Sequence, residues 1–517
     1  MNRTAAGTAP SDTPPNDTST ATRPTDVLIV GGGLAGLAAA EALTRTQPAL
    51  RVTLLESKRQ LGGRAGSFAD PSSGTTVDYC QHAAMGCCTN LLDLIQRCGL
   101  SQCFRRYREL TFLHPQSPPS RFAPNRFLPP PLHLAGTLHA QRYLRPAQRI
   151  QILRGLWQLM RSRDDKLRAT TAARWLSEHG QDAETLKAFW DVILVSALGE
   201  RTDRVAMSAA RKVLIDGFAA ARGASDVLIP TAPLSHVFGD RMRDHLSSRG
   251  VVIRQGETVR RINADRTVVT GESQLRPDHV ICAVPWHRVA DLFSDWPAAQ
   301  RARLPDLETV SNFPTSPITG LHLWFDKPIT DLDHAVMVGT VSQWMFRAPF
   351  SSAPLESANG DRTNVQRTGD DIQPSSPGGQ PTSGHYVQIV ISGCSDVGSG
   401  SIESLLEVVL SELRHAFPDA RQARLLSHRR VTDPNSVFSI TPAVEAARPS
   451  SRTDVPWLHL AGDWTATGWP ATMEGAVISG RKAVESLLGG IDDSPPAALV
   501  RPGLPRRWLA RRLIRQS

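Results

Sequence analysis

A chain of 517 residues, 40% hydrophobic, can bury two or three cores, and seven irregularly spaced cysteines exclude a disulfide-stapled secreted framework. The net charge of +9 is local: Arg105 to Arg174 holds fourteen Lys or Arg against three acids, and the last seventeen residues hold six Arg and no acid. No zinc-finger spacing or RNA-binding aromatic motif accompanies that charge, so no nucleic-acid partner is expected, and the thiols suit a reducing, cytoplasm-like compartment.

In chain order, residues 1–24 are rich in Thr, Pro and Ser without an apolar h-region, and read as a disordered tail with no signal peptide. The longest apolar run, Val27 to Ala40, is fourteen residues with four glycines. That is short of the ~20 a membrane span needs. A soluble or peripheral protein is expected.

The first strong signal is TDVLIVGGGLAGLAAAEALTRT. A β-branched run enters a glycine turn and then an Ala/Leu-rich helix, the setting in which GxGxxG carries meaning. Gly31 permits the tight turn, Gly33 lets amides approach a pyrophosphate, with Leu34 and Ala35 following, and Gly36 lets helix and strand pack closely. The next strand, RVTLLESK, delivers Glu56 twenty residues after Gly36, placed to accept ribose hydroxyls. NAD and FAD both remain open at this point.

The segment Leu61-Gly62-Gly63-Arg64-Ala65-Gly66-Ser67 adds a second glycine turn and a guanidinium suited to a diphosphate or a flavin. Here the chain resembles the glutathione-reductase-type flavoproteins of the amine oxidase and carotenoid desaturase group, which carry such a GGR sequence. The resemblance implies FAD and an α/β fold: a Rossmann-type FAD-binding domain with a discontinuous mixed α+β substrate domain.

Next comes DYCQHAAMGCC, residues 78–88, with three cysteines and a histidine. No second Cys/His pair at metal-ligand spacing accompanies it, so no metal is expected, and the cysteines read as small packing residues. Fourteen residues beyond Arg64, the segment should pass from the diphosphate toward the flavin. His82 and Asp78 are the catalytic candidates, a hydrogen-bonded structural histidine being the alternative for His82.

Residues 146–220 show helical periodicity, whereas ITGLHLWFDKPI, HAVMVGTVSQWMF and HYVQIVISG read as strands, with a polar Pro/Gly/Ser insertion at 350–384. The stretch SSRGVVIRQGETVRRI to HRVADLF reads as strands followed by a strand and helix over Val280 to Phe293. In similar proteins this part gives a backbone contact to the adenine side at the position of Val259. Near the C-terminus, WLHLAGDWTATGWPATMEGAVISGR is a strand, a loop and a helix beginning near Met473. By the same resemblance Asp463, after Gly462, binds ribitol or pyrophosphate-side hydroxyls, and the helix start at Met473 and Gly475 aims its amides at the flavin. The expected division is 25–100, 226–295 and 455–490 for the FAD-binding domain and 101–225 with 296–454 for the substrate domain. Residues 491–517 form a basic amphipathic tail, with Leu509, Ala510, Leu513 and Ile514 on one side, suited to an anionic membrane or to solvent.

The DYCQHAAMG segment, ALGERTDRVAMSAARKVL, ARGASDVLIP and TGWPATMEGAVISGR together resemble the hydroxysqualene dehydroxylases. That family usually has Gly where this chain has Cys80 and often Asn at Gly199. The resemblance implies reductive removal of an allylic hydroxyl to give squalene, an isoprenoid substrate, an unidentified electron donor, and peripheral placement at the inner membrane face. A phytoene or carotenoid desaturase would run the flavin oxidatively. A flavin amine oxidase suits the basic surface less well, and a non-enzymatic FAD- or nucleic-acid-associated protein has only the charge in its favour.

Overall fold

The computed structural model describes residues 25–71, 74–347, 385–393, 400–491 and 498–515. The tail at 1–24 and the insertion at 350–384 lie outside them. Among the described residues no helix is long and apolar enough to cross a membrane.

Five parallel strands form the sheet that positions the site: β1 (Asp26–Val30), β2 (Arg51–Glu56), β3 (Val252–Gln255), β4 (His279–Cys282) and β5 (Leu458–Leu460), in spatial order β3-β2-β1-β4-β5. A sheet covered on both faces needs near-continuous aliphatic strands. Val27 to Val30 are all buried, as are Leu54 and Leu55. Helix α1 (Leu34–Thr46) is buried along its first ten residues, packed between the sheet and helix α2 (Met473–Ile491). Alanine and glycine dominate α1 because α2 comes very close: a Cβ on Gly480 would sit 2.2 Å from the Ala35 carbonyl oxygen.

A second, seven-stranded sheet runs Leu425–Phe438, Thr315–Phe325, His385–Ser392, Trp344–Phe346, His334–Met337, Leu110–His114 and Ser117–Phe122 in spatial order. The three strand readings fall on it, but the edge strand Leu425–Phe438 was not foreseen. Its sequence, LLSHRRVTDPNSVF, is polar and interrupted by proline, and most of it is half-exposed. The helical region holds Pro146–Arg161, Ala172–Glu178, Asp191–Leu198 and Met207–Arg211.

One small sheet spans the expected boundary at residue 100: Val227–Pro230 pairs with both Ala84–Met85 and Phe104–Tyr107. The C-terminal helix Trp508–Leu513 does not offer its apolar side outward. Ala510 and Ile514 are at most 1% exposed, packed into the core of the helical region, and the Arg515 amide donates to the Met160 carbonyl at 2.9 Å.

Candidate active site

Two glycine turns meet at the C-terminal edge of the parallel sheet. Gly31, at φ +112°, leaves β1 so close to β4 that a Cβ there would lie 2.6 Å from the Ala283 carbonyl oxygen. Gly36 is tighter still, with a Cβ position 1.9 Å from the Gly31 carbonyl oxygen. Gly33 begins α1 and no side chain caps it, which leaves the first-turn amides for an anion. The second turn is bonded to the first: the Gly62 amide donates to the Gly32 carbonyl at 2.9 Å, and a Cβ on Gly63 would lie 3.1 Å from Gly33 Cα. The result is a cradle walled by backbone that side chains would fill, and the residues present fit a diphosphate.

Glu56 ends β2 and is 7% exposed. One carboxylate oxygen accepts from the Gly32 amide at 2.7 Å, the other from the Lys58 amide at 2.8 Å and the Ser57 hydroxyl at 3.1 Å. The carboxylate is thus oriented by the turn and keeps acceptor capacity for a ribose hydroxyl. The Gly256 and Glu257 amides donate to the Lys58 and Glu56 carbonyls, which brings the segment leading into Val259 beside that acid.

From the other end of the chain, β5 runs into Ala461-Gly462-Asp463. Gly462, at φ +142°, donates its amide to Ser479 Oγ on α2 at 2.8 Å. The Asp463 carboxylate lies 2.6 Å from Arg64 Nη2, whose Nη1 donates to the Ser436 carbonyl at 2.8 Å while the guanidinium rests over the Trp286 ring. Arg64 therefore ties the second glycine turn to Asp463, where the sequence suggested a contact to the cofactor. Arg448, buried and not anticipated, donates to the carbonyls of Asp463 and Thr465 and to Thr467 Oγ1, fixing the loop after β5. No spacing in EAARPSSR signals that task. At the start of α2, Gly475 donates to Thr472 Oγ1, and next to Met473 the buried Glu474 accepts from the amides of Asn90 and Leu91, capping helix Thr89–Arg97.

The two catalytic candidates part company. His82 is half-buried, with Nδ1 2.8 Å from the Cys80 carbonyl oxygen. A carbonyl can only accept, so Nδ1 carries the proton and Nε2 the lone pair. Burial lowers the His82 pKa, the Cys80 bond opposing and the Arg64 charge adding to the effect, so the ring is a neutral base. Asp78 is instead 2% exposed; its Oδ1 accepts from Ser67 Oγ at 2.7 Å and the Leu234 amide at 2.9 Å, which ties the strand Thr76–Asp78 to neighbouring segments. Its Oδ2 accepts no hydrogen bond among the described residues. The missed His322 lies behind it, with Tyr386 and Gln388, whose Nε2 reaches the Asp78 carbonyl at 3.5 Å. Cys87 packs on Ala221 and Ala224, and among the described residues no group of three His, Cys, Asp or Glu could hold a metal.

Burial raises the Asp78 carboxyl to about 7 against the opposing bonds from Ser67 and Leu234. The folded state then holds a proton that the unfolded chain releases from about pH 4 upward, so this contribution to stability is present in acid and lost as pH rises through about 7. Asp78→Asn is expected to remove that dependence, with a gain over the parent of up to ~4 kcal/mol between pH 4 and pH 8. Thermal unfolding of both proteins across that range checks it; parallel curves would contradict it.

A family model described as flavin containing amine oxidoreductase matches residues 34–488. Among curated relatives, the 15-cis-phytoene desaturase of Synechococcus elongatus is 23% identical over 505 residues, covering 92% of this chain and 98% of its own. The zeta-carotene desaturase of a Synechocystis strain is 25% identical, covering 89% and 97%. Among solved structures, an oxidoreductase from Methanosarcina mazei superimposes with a TM-score of 0.64 at 15% identity, over 90% of this chain and 100% of that one. Cyclohexylamine oxidase from Brevibacterium oxydans gives 0.62 at 18% identity, over 91% and 100%. The fold and the cofactor, FAD, follow.

Proposed function

The chain belongs to the flavin containing amine oxidoreductases, FAD-dependent oxidoreductases in this branch, and from that premise we propose that it dehydrogenates a long, phytoene-like isoprenoid. What supports the substrate class is the likeness to the phytoene and zeta-carotene desaturases, which extends over 92% and 89% of this chain. Between the small sheet bearing Ala84–Met85 and the seven-stranded sheet the core is apolar: Leu110, Val227, Ile229 and Phe346 are buried, with Phe112, Phe122 and Trp344 half-buried around them. An ammonium substrate would want an unpaired acid, and the nearby Asp333 is already held by Arg347 at 2.6 Å and by Tyr107 OH at 2.8 Å.

Bound FAD supplies the acceptor for a hydride. The cradle of Gly31, Gly33, Gly36, Gly62 and Gly63 would hold its diphosphate, Glu56 its ribose, and the loop fixed by Arg448 its other end. Forming a C=C bond removes one hydrogen as hydride and the neighbouring one as a proton, and Nε2 of neutral His82 is the lone pair available to take that proton. The sequence order of the DYCQHAAMG and ARGASDVLIP segments favours a second reading, reductive dehydroxylation of hydroxysqualene. That reaction calls for an acid to protonate the departing oxygen, the opposite protonation state of His82.

His82→Gln is expected to retain flavin and lose ~100-fold or more in turnover. In the parent, kcat/KM should fall as pH drops through a value below the ordinary 6.5 of histidine, because the ring must be neutral. A rate that falls instead as pH rises, with squalene formed from hydroxysqualene, would establish the second reading.

A further inference from the structure

The interior of the seven-stranded sheet carries a group of polar side chains. On the adjacent strands Thr315–Phe325 and His385–Ser392, His322 stands opposite Gln388 and Trp324 opposite Tyr386. His322, Tyr386 and Gln388 are at most 4% exposed. Buried polar groups cost free energy unless they are bonded, and these are bonded to each other and to the segment that bears His82. His322 Nδ1 lies 2.7 Å from Tyr386 OH, Gln388 Nε2 donates to the Asp78 carbonyl at 3.5 Å, and the His322 ring bonds the Tyr79 carbonyl. A carbonyl only accepts, so His322 Nε2 carries the proton and Nδ1 accepts from the tyrosine hydroxyl. Gly320 leaves room for the meeting: a Cβ there would lie 2.9 Å from the Tyr79 carbonyl oxygen, 3.2 Å from Gln388 Nε2 and 3.5 Å from His322 Nε2. Phe68 closes the group, its ring stacked on Tyr79 at 5.4 Å and edge-on to His322 at 5.9 Å.

We propose that His322 is a positioning residue for His82: by holding the Tyr79 carbonyl it fixes the next peptide, whose Cys80 carbonyl keeps the His82 proton on Nδ1 and the lone pair on Nε2. The inference rests on the reading of His82 as the proton acceptor and names what orients it. The Tyr79 amide is fastened on its other side to the Gly66 carbonyl at 3.1 Å, so the peptides leading to Gln81 have little freedom. An imidazole without a tether favours the proton on Nε2, the tautomer that offers no lone pair there. The bond from Nδ1 to the Cys80 carbonyl at 2.8 Å reverses that preference, and only while the carbonyl stays where it is. His322 suits the task because it stays neutral far below neutral pH: burial drives its pKa down to about 3, the Asp70 charge opposing and the Arg429 charge adding to the effect. Those two charges pair with each other at 2.6 Å.

The test is nitrogen-15 NMR of the histidine rings in the full-chain holoprotein, with His82→Gln identifying the His82 signals. In the parent, Nδ1 should carry the proton. His322→Phe keeps a ring but loses both nitrogens, and should move the His82 tautomer ratio toward Nε2–H by about fivefold or more, the scale of one lost buried bond. Tyr386→Phe should move it the same way by about twofold or more. In His322→Phe the His82 titration midpoint should also rise toward the ordinary 6.5, as the burial that lowers it loosens. His322→Gln places an amide donor where Nε2 stands and should restore the parent ratio. The rate of flavin reduction by phytoene should follow that ratio, falling about fivefold in His322→Phe at unchanged half-saturation and recovering in His322→Gln. Parent-like His82 signals in both phenylalanine variants would overturn the proposal, and so would a parent His82 with its proton on Nε2. Tyr386→Phe, which removes one oxygen, decides the matter where His322→Phe does not fold. Phytoene inert toward the parent flavin, with the His82 signals still answering to His322, would sustain the positioning and overturn the dehydrogenation.

Discussion

Gly36→Val is expected to give protein that carries no FAD. The Cβ of any side chain at this position would stand 1.9 Å from the Gly31 carbonyl oxygen, and both atoms are held by backbone that cannot move aside. Relief would push α1 away from β1, and Gly480 of α2 already approaches the Ala35 carbonyl too closely to permit that. The first-turn amides would leave the cradle and the bonds between the two glycine turns would break with them. Flavin absorbance of the purified variant should fall from about one equivalent to near zero, an affinity loss of ~1000-fold or more if each displaced amide contact to a charged group is worth about 1.5–3 kcal/mol. Gly136→Ala is the matched control: a Cβ there meets nothing within 4 Å, and alanine in that helix should be neutral or stabilise by up to ~1 kcal/mol. A flavin-replete Gly36 variant would show that the close approach of α1 to β1 is not what holds the cofactor.

The second large effect is expected at Arg481, on α2 and fully buried. Nη1 donates to Asn90 Oδ1 at 3.0 Å and Nη2 to Asp93 Oδ2 at 2.6 Å, while Arg501 from the C-terminal extension donates its amide to the same Asn90 and its side chain to the same Asp93. One guanidinium thus ties α2, helix Thr89–Arg97 and the extension together. Arg481→Met keeps the volume but leaves Asp93 with less compensation, and breaking a buried pair on one side costs about 3–5 kcal/mol. The midpoint of thermal unfolding should drop by about 3–5 °C. Asp93 is half-buried, which works to raise its pKa, but Arg97, Arg481 and Arg501 outweigh this and hold it below the ordinary value. Its contribution is present at neutral pH and lost as pH falls through that lowered value, so the gap between parent and variant should narrow in acid. A gap that stays constant from neutral pH into acid would contradict the pairing.

Local geometry was legible in the sequence, and distant pairing was not. A glycine pattern after a β-branched run dictates strand, turn and helix through sterics within a few residues, which is why the cradle from Gly31 to Arg64 and the helix beginning at Met473 could be read directly. Arg64 and Asp463 stand 399 residues apart, and nothing in either segment encodes that they meet. The same limit applies to Arg448, to Glu474 capping a helix it does not belong to, and to His322 behind the Asp78 strand. The bonds that Asp78 accepts from Ser67 and Leu234 come from other segments and are likewise not written in the sequence around it. The terminal helix misled for a related reason: an amphipathic pattern states that one side is covered, but not whether protein or lipid covers it.

The proposed function rests on a flavin that exchanges electrons with an isoprenoid chain. Its most direct test is to follow the flavin spectrum of the holoprotein anaerobically while phytoene, hydroxysqualene or putrescine is added, with the protein oxidised in one series and reduced in the other. Phytoene should bleach the oxidised flavin and yield a more unsaturated product, while putrescine should leave the spectrum unchanged. Bleaching by putrescine with neither isoprenoid changing the spectrum in either series would contradict it.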